Sequence, residues 1–142
     1  MKWSPSSPTS TLVMPSAAKS GWTEKNLPRR VLKWMISNGG LDEFERRATE
    51  RAALLYGAID DSDGWYRSPV DEDSRSHMNI VFRLPDEDLE ERFVAEAAEA
   101  DMVNLKGHRS VGGIRASVYN AMPLGSVETL VSFMADFRAA NA

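Results

Sequence analysis

From about residue 28 onward, apolar positions recur at helical spacing with two interruptions. Val31, Leu32, Met35 and Ile36 form one stripe and predict a helix that starts near Pro28. Asn38-Gly39-Gly40 stops it, because glycine takes the left-handed conformation cheaply at a helix end. A second helix is expected from about Leu41 to Ile59. Phe44, Ala48, Ala52 and Leu55 make its buried face, and Glu43 and Arg47 make an outward i,i+4 ion pair. Asp60-Asp61-Ser62-Asp63-Gly64 closes that helix.

The pattern then changes. Met78–Leu84 is rich in β-branched and aromatic residues, lies between Ser76 and Pro85, and reads as a strand. Asp86 is placed to cap a helix from about Glu87 to Ala100, with Leu89, Phe93, Ala97 and Ala100 along one stripe. Met102–Leu105 reads as a short strand and Ile114–Tyr119 as a further one. Pro123 precedes a final helix from about Ser126 to Ala139, with Val127, Leu130, Val131, Met134 and Phe137 buried. The expected order is helix, helix, strand, helix, strand, strand, helix. That is an α+β domain, a small mixed or antiparallel sheet with helices packed on one face.

The 142 residues have room for one ordinary domain. Residues 1–26 differ from the rest. Met1–Gly21 is rich in Ser, Thr, Pro and Ala and has too little apolar surface to offset its ordering entropy. Its apolar run, Thr11–Met14, is too short for a secretory signal, and it has no arginine for an organelle transit peptide. We therefore expect a disordered or unrelated leader over 1–26 and one domain over 27–142. No apolar run approaches the ~20 residues needed to cross a bilayer. The absence of cysteine excludes a disulfide framework and a cysteine nucleophile, and is compatible with a cytoplasmic location.

The net charge of −4 hides an asymmetry. Residues 41–100 carry seven basic and seventeen acidic groups, so the middle of the chain is a solvated acidic surface. That argues against nucleic-acid binding, which needs a basic face for phosphates. Within the acidic middle, Asp61-Ser62-Asp63-Gly64 invites a calcium reading. Pro69 interrupts the loop and the glycine is not at the sixth position, so an EF-hand is not expected.

Candidate chemistry gathers where acids are scarce, in Gly107-His108-Arg109-Ser110-Val111-Gly112-Gly113-Ile114-Arg115-Ala116-Ser117. A guanidinium is a planar fork that matches carboxylate and phosphate, and His108 adds a donor for an anion. The chemistry indicated is recognition of a small molecule with two anionic ends. The glycine pair lets the backbone turn, so Arg109 and Arg115 can serve one ligand or two subunits. The alternative on pattern alone is that both arginines pair with acids on neighbouring helices and the glycines only shape a hairpin. There is no Gly-x-x-x-x-Gly-Lys loop, Gly-x-Gly-x-x-Gly loop or His-Glu-x-x-His motif.

The same run, continued through Val118-Tyr119-Asn120-Ala121-Met122-Pro123-Leu124, resembles the C-terminal signature of the phosphoserine aminotransferase family. Leu32-Lys33-Trp34, Asn38-Gly39-Gly40, Leu54-Leu55-Tyr56-Gly57 and Arg75-Ser76 with Met78-Asn79 extend the likeness over about residues 31–140. The resemblance implies the C-terminal small domain of a class V, fold-type-I enzyme dependent on pyridoxal phosphate. It implies that His108 and Arg109 bind the substrate phosphate in the partner subunit of a homodimer, and that Arg115 binds the α-carboxylate. It further implies amino transfer between glutamate and 3-phosphohydroxypyruvate in serine biosynthesis, and in many bacteria a role in pyridoxine synthesis. Such an enzyme also needs a lysine bonded to the cofactor. Lys2, Lys19, Lys25, Lys33 and Lys106 are the only lysines, and none matches it. The expectation is therefore a substrate-binding domain that does not hold pyridoxal phosphate or catalyse transamination alone. A truncated gene, a frameshift or a mispredicted start would each produce it. The other readings are a stand-alone anion-binding module and a non-functional remnant with an uncovered apolar face.

Overall fold

The computed structural model describes residues 27–142. The expected leader over 1–26 lies outside the described residues. Four helices and a two-stranded antiparallel sheet make up the fold: α1 (Leu27–Ser37), α2 (Gly40–Asp60), β1 (Asn79–Phe82), α3 (Glu87–Glu99), β2 (Ile114–Ser117) and α4 (Leu124–Asn141). A short 3-10 turn, Glu72–Ser74, lies between α2 and β1.

The long helices follow their apolar stripes. In α2, Phe44, Ala48, Ala52 and Leu55 are buried, as are Tyr56 and Ile59 beyond them. Glu43 and Arg47 form the outward ion pair at 2.6 Å. In α4, Val127, Leu130, Met134 and Phe137 are buried, while Val131 is half-buried. The capped helix is α3, where the Asp86 side chain accepts from the Leu89 amide at 2.8 Å. Its inner stripe holds Phe93 and Ala97, but Ala100 is exposed and Glu90 is buried in addition.

Strand register follows from alternation. Ile80 and Phe82 on β1 face Ala116 and Ile114 on β2, and all four point into the core. The core is built largely of aromatic edges. Tyr66, Phe82, Phe93 and Phe137 meet edge-to-face, with Tyr66 and Phe82 5.5 Å apart and at right angles. The Tyr66 hydroxyl donates to the Met134 carbonyl at 2.8 Å and so ties the segment after α2 to α4.

One expectation needs correction, and one stripe lies outside the core. Met102–Leu105 forms no strand. Asp101 and Asn104 both have positive φ, near 63°, which breaks an extended run, and pairing with β2 is reduced to an isolated bridge between Lys106 and Ile114. The stripe on α1 does not enter the core either. No residue of α1 is buried, Leu32 is 58% and Ile36 74% exposed, and the helix contacts α2 chiefly through Trp34 edge-on to Phe44.

Candidate functional site

Residues 107–113 form a tight turn at the base of β2. The Gly107 amide donates to the Gly113 carbonyl at 2.8 Å, and the Val111 and Gly112 amides both donate to the His108 carbonyl at 2.8 Å. His108, Arg109 and Ser110 stand exposed on this turn. The His108 ring is steered by its neighbour, with Nδ1 2.7 Å from the Ser110 hydroxyl.

A buried carboxylate holds the turn in place. Glu90 Oε1 accepts from Arg83 Nε at 2.6 Å and from the Leu84 amide at 3.2 Å, and Oε2 accepts from the Gly113 amide at 3.2 Å. Arg83 Nη1 also donates to the Val111 carbonyl at 3.1 Å. Gly113 has φ +72°, and a Cβ there would lie 2.6 Å from Arg83 Cδ and 2.9 Å from the Phe82 carbonyl oxygen. Only glycine permits this approach. The Arg83–Glu90 pair thus clasps the turn to β1 and α3.

Arg115 lies two residues past the turn. Alternation along β2 sends Ile114 and Ala116 inward and Arg115 and Ser117 to the other face. There Arg115 lines a groove of about 700 Å³, walled by residues 100–105, by β2 and by the start of α4. Met102, Val103 and Leu130 supply apolar wall, and Ser126 and Thr129 hydroxyl groups. Ser117 Oγ and Tyr119 OH, also lining it, donate to Asn79 Oδ1 at 3.1 and 3.4 Å. Arg115 Nε is buried without a hydrogen-bond partner. Such a groove is suited to a small amphipathic molecule whose carboxylate meets the guanidinium.

Among the described residues, neither Arg109 nor Arg115 forms an ion pair with an acid, so the pairing alternative does not hold. The acid that reaches this region, Glu90, is taken by Arg83. His108 and Arg109 share one turn with each other but do not line the groove that holds Arg115. Pattern reading missed Glu90 and Arg83. The available signal was Glu90 itself, three residues before Phe93 and seven before Ala97, on the inner stripe of α3.

Lys33 is exposed on α1 and Lys106 is exposed beside β2, and neither lines the groove. No group of three or more metal-ligating side chains is present among the described residues, and no helix there is long and apolar enough to cross a membrane.

The class-V aminotransferase family matches residues 27–130, and the chain belongs to it. Within that family its relatives are phosphoserine aminotransferases. The one from Stenotrophomonas maltophilia strain R551-3 is 59% identical over 108 residues, 76% of this chain and 30% of the relative. The solved phosphoserine aminotransferase of Bacillus circulans subsp. alkalophilus is 52% identical with a TM-score of 0.77, over 79% of this chain and 31% of that one. The phosphoserine aminotransferase of Trichomonas vaginalis solved with PLP bound is 36% identical with a TM-score of 0.69, over 75% of this chain and 31% of that one. The chain thus spans about a third of the length of the proteins it matches.

Proposed function

We propose that residues 27–142 form the small, substrate-binding domain of a phosphoserine aminotransferase, acting in serine biosynthesis in a homodimer. Arg115 binds the α-carboxylate of the amino or oxo acid in the groove beside β2. His108 and Arg109 bind the substrate phosphate. The observation that carries this reading is the pair of arginines without carboxylate partners, in a segment of high identity to phosphoserine aminotransferases. Their separation, one in the groove and one on the exposed turn, favours the two-subunit arrangement, in which the turn reaches a neighbouring active site. Two anionic ends suit phosphoserine, and they suit glutamate and 2-oxoglutarate as well. Pyridoxal phosphate, when bound in a complete enzyme, supplies the electron sink for amino transfer. Neither Lys33 nor Lys106 lines the groove, and on this reading the chain alone does not turn over substrate.

Two measurements test the proposal. Calorimetric titration of the chain with phosphoserine should show binding that is weakened at least tenfold in Arg115→Ala. Equal binding by the variant would remove Arg115 from the site. Mixing the chain with pyridoxal phosphate should give no visible band of lysine-bound cofactor and no turnover. Phosphoserine binding that proceeds without either supports the substrate-binding role, and a strong band with turnover would overturn the claim of incompleteness.

A further inference from the structure

A second basic cleft lies on α2, apart from the groove beside β2. Arg51 is on the inner stripe of α2, between Ala48 and Leu55, and is only 3% exposed. Its Nη1 donates to the Met122 carbonyl at 3.2 Å, while Nε and Nη2 are buried with no hydrogen-bond partner. Asn120 Oδ1 is likewise buried and unpartnered. Both residues line a cleft of about 340 Å³ with Trp34, Arg46, Arg47 and Glu50.

Charge on this face does not balance locally. Glu43 accepts from Arg46 at 2.8 Å and from Arg47 at 2.6 Å, and Glu50 accepts from Arg46 at 3.1 Å. Three guanidinium groups therefore meet two carboxylates, both already engaged, and no described carboxylate pairs with Arg51. A buried cation without a counter-charge is strongly unfavourable. A lysine would relieve this by losing its proton, but arginine keeps its charge under all ordinary conditions. Burial first and the charge of Arg47 second disfavour the ionised form of Arg51, and the carboxylate of Glu50, already engaged by Arg46, opposes them only in part.

We propose that this cleft binds a small hydrogen-bearing oxyanion, of the class of hydrogen phosphate, whose oxygens accept from Arg51 and whose hydroxyl donates to Asn120 Oδ1. The free donors require an acceptor, and the free carbonyl oxygen requires a donor. Sulfate and chloride offer only the first, so phosphate is favoured over both. The site is independent of Arg109 and Arg115, neither of which lines the cleft.

The test is thermal unfolding of the full chain in phosphate against sulfate at matched ionic strength. The midpoint should rise with the logarithm of phosphate concentration, by on the order of 10 °C at a hundredfold excess over the dissociation constant. Sulfate should give a smaller rise. The phosphate increment should persist in Arg109→Ala/Arg115→Ala and vanish when Arg51→Met is added to that background; the midpoint of Arg51→Met without phosphate should be no lower than that of the parent. If Arg51→Met does not fold, Asn120→Asp supplies the missing carboxylate. It should raise the midpoint in phosphate-free buffer and, in the same background, remove the increment. An increment that is absent, that is lost in Arg109→Ala/Arg115→Ala, or that survives unchanged in the Arg51 and Asn120 variants of that background would overturn the proposal.

Discussion

Glu90 and Arg51 occupy stripe positions that otherwise hold apolar residues. Reading a stripe assigns charges to the outer face, so a lone charge on the inner face passes unnoticed unless it is asked what it pairs with. Glu90 has an answer in Arg83 and the backbone of the turn, whereas Arg51 has only the Met122 carbonyl and no carboxylate among the described residues. His108, Arg109 and Arg115 stand out as residue types, since guanidinium groups in an acid-poor, glycine-bounded run are suited to an anion. Their division between an exposed turn and a groove was not legible, because it depends on the register of β2 against β1. The clasp predicts a specific cost. Glu90→Gln weakens two charge-assisted contacts and presents an amide NH₂ to one of its donors. It should destabilise the fold by about 1–3 kcal/mol, measured by urea unfolding. Amide exchange at Val111 and Gly113 should accelerate well before global unfolding, since the turn loses its anchor first.

Helix positions were legible because each helix of the core carries its own period and its own stop signal. The Asp86 cap and the Asn38-Gly39-Gly40 break were read from residue type, and Gly39 does adopt a positive φ of 102°. Strands were less legible, since four residues carry little period. Met102–Leu105 has the composition of a strand, yet positive φ at Asp101 and Asn104 turns its backbone away from the ladder. The stripe on α1 is real as a pattern but has only α2 beside it, so amphipathicity here does not report burial in this chain. This separates two substitutions of the same kind. Ile36→Glu, at a position 74% exposed, should change stability by no more than about 0.5 kcal/mol. Leu55→Ala, in the fully buried stripe of α2, should cost about 2–5 kcal/mol. Denaturant midpoints of the two variants decide it; a large loss in Ile36→Glu would mean that α1 is packed.

At the scale of the whole molecule, stability converges on one ring. Tyr66 belongs to neither a helix nor a strand, yet it touches Phe82 of β1 and Phe93 of α3 and bonds to α4. Periodicity could not reveal it, because the loop between α2 and β1 has no period to read. Its burial pushes the hydroxyl's ionisation far above the ordinary value of about 10. Tyr56, whose hydroxyl donates to the Ser76 carbonyl at 3.1 Å, is shifted in the same direction by burial, with Arg75 opposing. The sign follows from linkage. A group whose folded pKa is raised contributes in full below its unfolded pKa, and the contribution is lost as pH rises from there toward the folded value. The protein should therefore be stable to alkali up to about pH 10 and lose stability steeply above it. Tyr66→Phe keeps the ring and removes both the titration and the bond to Met134. At neutral pH it should cost about 1 kcal/mol, the net worth of one hydrogen bond. Above pH 10 the variant's loss should be shallower than the parent's, so the two curves of urea midpoint against pH should converge. Parallel curves would mean that alkaline unfolding is governed by other groups such as Tyr56, and that the Tyr66 hydroxyl does not titrate with the fold.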